Sequence, residues 1–386
     1  MTEWIECTLD KLGEIVGGAT PSTKCEDYYG GSIPWITPKD LSSFKGRYIT
    51  SGERNITEKG LASCSAQMMP KDAVLFTSRA PIGYVAIASQ SVCTNQGFKS
   101  IVVNEKADPL FVYYLLKYNK DAIEAMGSGT TFKEVSGKTM RAVKVRIPLD
   151  VSYQNRIAAV LDSLDTKIEN NERINDNLQQ QADALFSSLY DRSNTEVRFT
   201  DLIQILGGGT PKTGENTYWN GNIAFFTPKD VGTPYTLITE KTISKEGLSH
   251  CNSRLYPVNT VFVTARGTVG KVGMSGVPMA MNQSCYALVG KETHQLLVYF
   301  YTLKAVDRLK HKASGAVFDA ITTRDFESEQ IMKLSDDDAT AFLRVAEPMF
   351  QEVLNNNIEN LRLSTLRDSL LPKLMSGEID VSAVQL

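Results

Sequence analysis

Two long segments of the chain carry a heptad pattern of apolar positions. In residues 153–189 these positions recur at alternating intervals of four and three, without glycine or proline. The seam consists of Ile157, Leu161, Leu164, Ile168, Asn171, Asn175, Leu178, Ala182, Leu185 and Leu189. A second seam repeats the spacing at Phe342, Ala346, Met349, Val353, Asn356, Asn360, Leu363, Arg367, Leu370 and Leu374. This alternation predicts the a/d seam of a coiled coil, so we expect two long helices that pair.

Two asparagines interrupt each seam at corresponding places. A buried asparagine lowers stability unless it meets an amide partner, so Asn171, Asn175, Asn356 and Asn360 are predicted to fix helix register. Antiparallel pairing puts Asn171 opposite Asn360 and Asn175 opposite Asn356. Parallel pairing would also match asparagines, but a tandem duplication within one chain favours the antiparallel arrangement, with a pseudo two-fold axis. The alternative is two ordinary amphipathic helices, each docked on its own domain.

Outside these segments, short apolar runs lie between glycine and proline turns. Residues 73–76 and 84–88 are strand-like, and a helix candidate covers 109–126. The mixture of short strands and helices indicates an α+β fold.

The chain is also an internal duplication. The loop G-G-A-T-P-S-T (17–23) returns as G-G-G-T-P-K-T (207–213), and Y-Y-G-G-S-I-P-W-I-T-P-K-D (28–40) returns as Y-W-N-G-N-I-A-F-F-T-P-K-D (218–230). Four further motif pairs follow in the same order in both copies. They are I-T-E-K-G-L with I-S-K-E-G-L, T-S-R-A-P-I-G with T-A-R-G-T-V-G, two Asn-Gln dipeptides, and S-G-T-T-F with S-G-A-V-F. The two copies begin 190 residues apart (207 − 17). Repeats of about this length are domains rather than solenoid units. We predict domains at 1–150 and 192–335, long helices at 151–191 and 336–376, and a tail at 377–386.

Composition and charge are those of a globular protein. The 386 residues are 42% hydrophobic and 22% charged, with a formal net charge of -3, six cysteines and three histidines. Because neither a long apolar run nor a secretory signal is present, we expect a cytoplasmic protein without membrane contact. The cysteines form no C-x-x-C pair, which favours reduced, mostly buried thiols over a zinc site. A net charge near zero is compatible with nucleic-acid binding, because a basic stripe on one face is sufficient.

Two similar domains held apart by paired helices suit a ligand with approximate two-fold symmetry, such as duplex DNA. A helix as long as the seam spans roughly 50 Å at 1.5 Å per residue. Half-sites read from one face of a duplex lie about 34 Å apart, which such a rod can accommodate. Because the two repeats differ in sequence, we expect the half-sites to differ as well.

The duplicated motifs resemble those of a known family. T-P-K-D in each repeat, the two arginine motifs, the Asn-Gln dipeptides and the ending L-R-D-S-L-L-P-K-L-M-S-G-E-I-D-V (366–381) are similar to the DNA specificity subunit of type I restriction-modification enzymes. The resemblance covers the whole chain. One departure is I-P-L-D-V-S-Y-Q-N (147–155), where many members have Pro-Pro and then Glu-Gln before the first long helix. The start of that helix is therefore predicted only to within a few residues.

The resemblance implies a non-catalytic reader of double-stranded DNA, in which each domain recognises one half of a bipartite, asymmetric site. The helices would set the gap and dock two methyltransferase subunits, which bind S-adenosylmethionine and methylate adenine N6. Two restriction subunits that use ATP and magnesium can join such a complex. This chain would hold no cofactor and no metal. In agreement, it lacks an Asn-Pro-Pro-aromatic or Asp-Pro-Pro-aromatic tetrapeptide, a Glu-X-Lys triplet and the second glycine of a Walker A loop.

The duplicated motifs also supply the candidate DNA contacts. The motif arginines can reach guanine or phosphate from a sheet edge, or can pair with a carboxylate instead. The turn lysines suit phosphate, the Asn-Gln amides suit adenine or loop stabilisation, and the glycine loops allow close approach to a ligand. Three further candidates differ between the copies and are expected to carry half-site preference. The full set is Thr20, Lys39, Arg79, Asn95, Gln96, Thr210, Lys229, Arg266, Asn282 and Gln283, with Lys133, Lys212 and Arg324 as the differing positions.

Two other functions are compatible with the sequence. One is a non-catalytic scaffold in which two ligand-binding domains sit on a coiled coil without any DNA role. Salt dependence separates it from a DNA reader, whose affinity falls steeply as salt rises. The other is an enzyme acting alone, which would turn over DNA with S-adenosylmethionine and magnesium in the absence of a partner.

Overall fold

The protein forms two compact units. A computed structural model describes residues 3–129, 133–232, 234–312 and 320–384. The first unit comprises Met1–Glu169 and Arg362–Leu386, and the second comprises Asn170–Leu361. The first unit is thus built from two separate stretches of chain, and each long helix contributes to both units. The motif pair S-G-T-T-F and S-G-A-V-F lies partly outside the described residues.

The first unit consists of short strands and helices that lead into one long helix. Its strands are β1 (Trp4–Thr8), β2 (Gly13–Gly17), β3 (Tyr29–Ile36), β4 (Tyr48–Ile49), β5 (Asn55–Ile56), β6 (Val74–Ser78), β7 (Ile82–Ala88), β8 (Cys93–Thr94), β9 (Lys99–Val103) and β10 (Lys144–Pro148). Its helices are α1 (Pro38–Ser42), α2 (Glu58–Ala62), α3 (Pro109–Tyr118), α4 (Lys120–Ala125), α5 (Gly137–Ala142) and the beginning of α6 (Val151–Asp191).

Strand β6 forms the centre of the first unit. It lies in a sheet of order β2-β9-β6-β7-β4, beside sheets of order β5-β3-β8 and β1-β10. Val74 and Phe76 of β6 pack in the same cluster as Phe111 of α3, whereas Leu75 packs with Phe98 in another cluster. The strand is buried on both faces, which explains its continuous apolar run rather than an alternating one.

The helix candidate at 109–126 is divided into α3 and α4 at Asn119. The Asn119 side chain donates from Nδ2 to the Leu115 carbonyl oxygen at 2.8 Å. Asparagine competes in this way with the helical backbone bonds of its own segment, which favours a break. The predicted single helix was therefore wrong in its continuity.

The second unit repeats this arrangement. Its strands are β11 (Thr195–Arg198), β12 (Ile203–Gly207), β13 (Trp219–Phe226), β14 (Tyr235–Thr236), β15 (Lys241–Ile243), β16 (Val261–Thr264), β17 (Val272–Ser275), β18 (Met279–Met281), β19 (Cys285–Gly290) and β20 (Gln330–Lys333). Its helices are α7 (Phe199–Leu202), α8 (Lys245–Ser249), α9 (Gln295–Lys312), α10 (Thr323–Ser328) and α11 (Asp336–Ser376), the last of which continues into the first unit.

The sheet topology of the two units is the same. The second unit has sheets of order β12-β19-β16-β17-β14, β15-β13-β18 and β11-β20, which match those of the first unit strand by strand. Its helix α9 is continuous where the first unit has α3 and α4. Two similar α+β domains and two long helices confirm the predicted fold class.

Within the first unit, α6 and α11 run antiparallel. Asp165 of α6 pairs with Arg367 of α11 at 2.6 Å. Near the start of α6, the Tyr153 hydroxyl donates to Asp380, in the segment after α11, at 3.0 Å. Residue numbers therefore rise along one helix as they fall along the other.

The same direction is seen within the second unit. Asn171 Nδ2 donates to Asn360 Oδ1 at 2.9 Å, and Asn356 Nδ2 donates to Asn175 Oδ1 at 2.9 Å. Asn171, Asn175 and Asn356 are all buried. Farther along, the rings of Phe186 and Phe342 meet edge to face with centroids 5.4 Å apart. The antiparallel partners are those obtained by aligning the two seams head to tail.

Candidate functional site

In the first unit, the glycine loop and the Asn-Gln dipeptide are packed against each other. A Cβ at Gly18 would lie 2.0 Å from the Asn95 carbonyl oxygen, so only glycine allows this approach. The Ala19 amide donates to the Thr94 carbonyl at 3.0 Å, and the Thr20 hydroxyl donates to Gln96 Oε1. Asn95 Oδ1 accepts a hydrogen bond from the Gly97 amide of the same turn at 2.8 Å. Thr20 and the exposed Gln96 therefore form one surface.

The second unit builds the same junction. A Cβ at Gly208 would lie 2.1 Å from the Asn282 carbonyl oxygen, and the Gly209 amide donates to the Met281 carbonyl at 3.1 Å. The Thr210 hydroxyl donates to Gln283 Oε1, as Thr20 does to Gln96. The duplicated glycine loop thus packs closely against the Asn-Gln turn in each copy.

Each T-P-K-D motif, which begins helix α1 in the first unit and forms a turn in the second, is fixed by its aspartate and presents its lysine outward. Asp40 Oδ2 accepts from the Thr37 amide at 2.7 Å, and Asp230 Oδ2 accepts from the Thr227 amide at 2.8 Å. Asp40 Oδ1 also accepts from the Glu53 amide at 2.8 Å, and Asp230 Oδ1 from the Glu240 amide at 2.8 Å. The bonds to the glutamate amides hold Glu53 beside Lys39 and Glu240 beside Lys229.

Both turn lysines are exposed and face a carboxylate. Lys39 Nζ lies 2.7 Å from Glu53, and Lys229 Nζ lies 3.9 Å from Glu240. The hydrogen bond and charge of Glu53 raise the pKa of the Lys39 amine, which therefore stays protonated. An exposed ion pair of this kind exchanges readily for another anion, because it contributes little to stability.

The motif arginines differ in their surroundings. Arg79 follows β6 and pairs with Glu134 at 3.6 Å, which is the carboxylate pairing that sequence alone left open. Arg266 follows β16, is exposed, and makes a backbone bridge to Ala320. It lines a cavity of about 490 Å³ together with Lys229, Lys241 and Asn282. Three predicted residues of the second unit are thus brought to one cavity.

The candidates that differ between the copies are all exposed. Lys133 comes directly before Glu134, and Arg324 is the second residue of α10. The backbone oxygen of Lys212 accepts a hydrogen bond from Trp219 Nε1 at 3.1 Å. Lys212 and Arg324 are not among the residues that line the cavity.

Sequence reasoning missed a second pair of cations beside the turns. Arg54 lies over the Tyr29 ring at 4.3 Å, and Lys241 lies over the Trp219 ring at 5.7 Å. Both follow the glutamate that faces the turn lysine, as Glu53-Arg54 and Glu240-Lys241. Extending the repeat a few residues before I-T-E-K-G-L would have revealed this match.

Two of the six cysteines, Cys93 and Cys285, are buried, and the other four are only partly buried. The prediction of mostly buried thiols was therefore wrong. Burial raises the pKa of the Cys93 thiol to about 12 and that of the Cys285 thiol to about 12. The described residues contain no group of three metal-ligating side chains, and none of the described helices is long and apolar enough to cross a membrane.

Known proteins are similar to this chain in sequence. The family model of the type I restriction modification DNA specificity domain matches residues 1–180 and 192–333. The type I restriction enzyme MjaIX specificity subunit of Methanocaldococcus jannaschii is 30% identical over 408 residues, covering 98% of this chain and 94% of that subunit. The HindI specificity subunit of Haemophilus influenzae is 24% identical over 370 residues, covering 73% and 80%.

A solved structure agrees at the level of the fold. The crystal structure of the type I restriction-modification S subunit from M. genitalium matches with a TM-score of 0.64 and 14% identity, over 97% of this chain and 96% of that chain. Both halves of the sequence match the family model, and the relative from M. jannaschii matches along almost the whole length. The chain therefore belongs to the DNA specificity subunits of type I restriction-modification systems.

Proposed function

We propose that each recognition domain of this chain reads one half of a bipartite, asymmetric DNA site. The single observation that carries the proposal is the duplicated surface, in which a glycine loop, an Asn-Gln turn and a cationic turn recur in each unit. Arginine, lysine and amide side chains are the groups that contact phosphates and base edges in DNA. The sequence differences between the copies support different half-sites.

The long helices would set the gap between the half-sites. In this assignment residues 1–150 and 192–335 recognise DNA, whereas residues 151–191 and 336–376 act as spacer and 377–386 as tail. The asparagine pairs in the second unit support a fixed register, because a shifted register would separate buried amides from their partners.

The same helices would dock two methyltransferase subunits, through which two restriction subunits can join. S-adenosylmethionine would then be bound by the methyltransferase, and ATP and magnesium by the restriction partner, with no cofactor in this chain. We assign it recognition without catalysis. Chromosomal DNA as the ligand would place its action in the bacterial or archaeal cytoplasm.

The test is an adenine methylation map of cellular DNA, recorded with this chain and its methyltransferase partner together, and with the partner alone. A bipartite motif that requires this chain is the expected result. A complex that forms and methylates no defined motif would instead favour a scaffold without a DNA role.

A matched control separates recognition from assembly. Gly18→Ala introduces a Cβ 2.0 Å from the Asn95 carbonyl oxygen, whereas at Gly17 a Cβ meets nothing within 4 Å. We expect the Gly18 variant to lose the first half-site while the complex still forms, and the Gly17 variant to keep the motif.

A further inference from the structure

The two candidate surfaces share one framework and differ at a few positions. Arg79 and Arg266 occupy corresponding places after β6 and β16, and each makes a backbone bridge, to Glu134 and to Ala320 respectively. The bond from the Val135 amide to the Ser78 carbonyl, 2.9 Å, has its counterpart in the bond from Ile321 to Ala265, 2.9 Å. Glu134 and Ala320 are therefore equivalent in space within their own units.

In the first unit this position carries a carboxylate. Glu134 Oε2 lies 3.6 Å from Arg79 Nη1, and Glu134 Oε1 lies 3.7 Å from Lys99 Nζ. The carboxylate is thus held between two cations and reduces the net charge beside Arg79. At 3.6 Å the contact is an ion pair rather than a hydrogen bond, so it anchors the Arg79 guanidinium beside Glu134 while the guanidinium N–H donors remain available for a planar partner.

In the second unit the same position carries a methyl group. Ala320 cannot accept a hydrogen bond through its side chain, and no carboxylate pairs with Arg266 among the described residues. The position of Lys99 is occupied by Tyr286, which has no positive charge. Arg266 instead faces the cavity of about 490 Å³ that Lys229 and Lys241 also line.

The residues that directly follow the two arginines also differ between the units. Ala80 and Pro81 follow Arg79, whereas Gly267 and Thr268 follow Arg266. Gly267 has a φ of +83°, and Thr268 donates its hydroxyl to the Pro228 carbonyl at 3.2 Å. Both residues line the cavity. Its charged lining consists of three cations, Lys229, Lys241 and Arg266, and one carboxylate, Glu240, so the cavity has a net positive charge.

We propose that the two arginines have different roles, set by Glu134 and Ala320. Arg79, positioned by Glu134, reads a guanine edge in the first half-site, whereas Arg266 contacts a phosphate at the second half-site. The inference rests on the proposed function. Glu134 is a positioning residue, because it acts on DNA only through the orientation of Arg79.

Reading a guanine and contacting a phosphate place different requirements on the arginine side chain. Guanine is recognised by two parallel hydrogen bonds from one guanidinium, which requires a fixed plane, and lysine does not reproduce that fork. A phosphate contact needs a mobile cation, and lysine supplies it equally well. Neutralising one phosphate contributes about 0.9 to the slope of log K against log salt concentration.

The experiment uses the complete complex of this chain with its methyltransferase. Affinity for a duplex carrying the mapped site is measured between about 50 and 200 mM salt, and the methylation motif is mapped for each variant. R266A is expected to reduce the salt slope by about 0.9 with the motif unchanged, and R266K to retain the slope. A320E, which supplies the carboxylate of the first unit, is expected to reduce the slope as R266A does.

Arg79 variants are expected to show the opposite pattern. R79K should relax one guanine of the first half-site by roughly 5- to 150-fold, as R79A does, while the salt slope changes little. E134A and E134Q both remove the carboxylate charge and should relax the same guanine, whereas E134D, which keeps the carboxylate, should retain more of the preference. Unchanged melting temperatures for the conservative variants would show that the effect is not unfolding.

Three results would overturn the assignment: R79K that keeps the complete motif, R266A that keeps the salt slope, or R266A that changes a base of the motif. These outcomes differ from failure of the proposed function, which would appear in the unsubstituted complex as the absence of any bipartite motif. The conservative lysine variants retain a charge at each position, so they test the inference even where the alanine variants fail to fold.

Discussion

Asn171 and Asn360 share one hydrogen bond across the helix pair, from Nδ2 to Oδ1 at 2.9 Å. Asn171 Nδ2 also donates to Glu359 at 2.7 Å, so the amide group serves two acceptors on α11. Its own Oδ1 is buried without a partner among the described residues. The pair therefore combines specific bonds with an uncompensated oxygen, which favours register over stability.

Replacing both residues by leucine tests that balance. N171L alone leaves Asn360 Oδ1 without its donor and should lower the free energy of unfolding by about 1–3 kcal/mol. N171L/N360L should recover most of this loss, because it also removes Asn360 Oδ1, which the single variant leaves without a donor. The register of the helix pair should become less well defined. Thermal melts give the stability, and the methylation map shows whether the gap between half-sites broadens.

A control is the equivalent change at Asn175 and Asn356, whose amides are bonded to each other at 2.9 Å. We expect N175L/N356L to loosen the register in the same way but to recover less stability, because Asn357 Oδ1 loses the bond from Asn175 Nδ2 at 3.0 Å. A double variant with one sharp gap and a single cooperative melt at higher temperature would contradict a register role for these asparagines.

Arg47 connects the first unit's domain to α6 through a buried network. It is only 5% exposed, donates to both oxygens of Glu169 at 3.1 and 3.0 Å, and also pairs with Asp162. R47M should cost about 1–3 kcal/mol in the free energy of unfolding, because it removes the guanidinium donors from both carboxylates. Urea unfolding of the purified chain measures this loss.

Lys39 provides the comparison for Arg47. Its pair with Glu53 has side chains 79% and 66% exposed, so K39M should leave the free energy of unfolding nearly unchanged. Equal losses for R47M and K39M would mean that burial does not govern these pairs.

Alkaline pH should destabilise the fold through the buried thiols. Burial raises the pKa of Cys93 and of Cys285 to about 12 in the folded chain. An unfolded thiol ionises near pH 8.5, so between about pH 8.5 and 12 the unfolded chain releases protons that the folded chain keeps. Stability is therefore complete below this interval and falls as pH rises through it. Melting temperatures from pH 8 upward measure the fall.

Two measurements attribute the effect to these residues. C93A/C285A should flatten the decline of melting temperature with pH. At pH 8 in the folded chain, alkylation should spare Cys93, because its raised pKa keeps the thiol protonated and the thiolate is the reacting form. The more exposed Cys25 and Cys251 serve as the comparison. Modification of Cys93 at the rate of Cys25 would contradict the raised pKa.

The spacer role predicts a change in the gap. One heptad inserted into α6 after Ile168, together with one inserted into α11 before Leu363, keeps the seam pattern on both helices. The added helix is about 10 Å long at 1.5 Å per residue, equivalent to roughly three base pairs. The methylation map should show a gap wider by about that amount, whereas an unchanged gap would exclude the helices as the spacer.

The sequence predicted the duplicated α+β architecture and the long helices because both depend on repeated local patterns. The heptad spacing specifies a helix and its buried side, and two copies of one motif order specify two similar domains. The break at Asn119 was missed, because it depends on one side-chain bond to Leu115 rather than on periodicity.

The candidate site was predictable in its parts and not in its pairings. The motifs identified Thr20 and Gln96 separately, but the bond between them joins residues far apart in sequence. The ion pair of Arg79 likewise depends on the chain returning after α4 to place Glu134 beside β6. Such contacts follow from tertiary packing, which a single sequence does not encode as a local pattern.

The division of the first unit into two stretches of chain has a consequence for synthesis. Residues 170–361 form one continuous unit, whereas the first unit includes residues 362–386, with Leu374 and Met375 in its core. On the ribosome, the second unit has its complete sequence available before the first unit does. Domains usually complete their folding from the N-terminus onward during translation. Here the N-terminal unit lacks residues 362–386 until they are synthesised, so the part of its core that Leu374 and Met375 complete stays uncovered in the nascent chain.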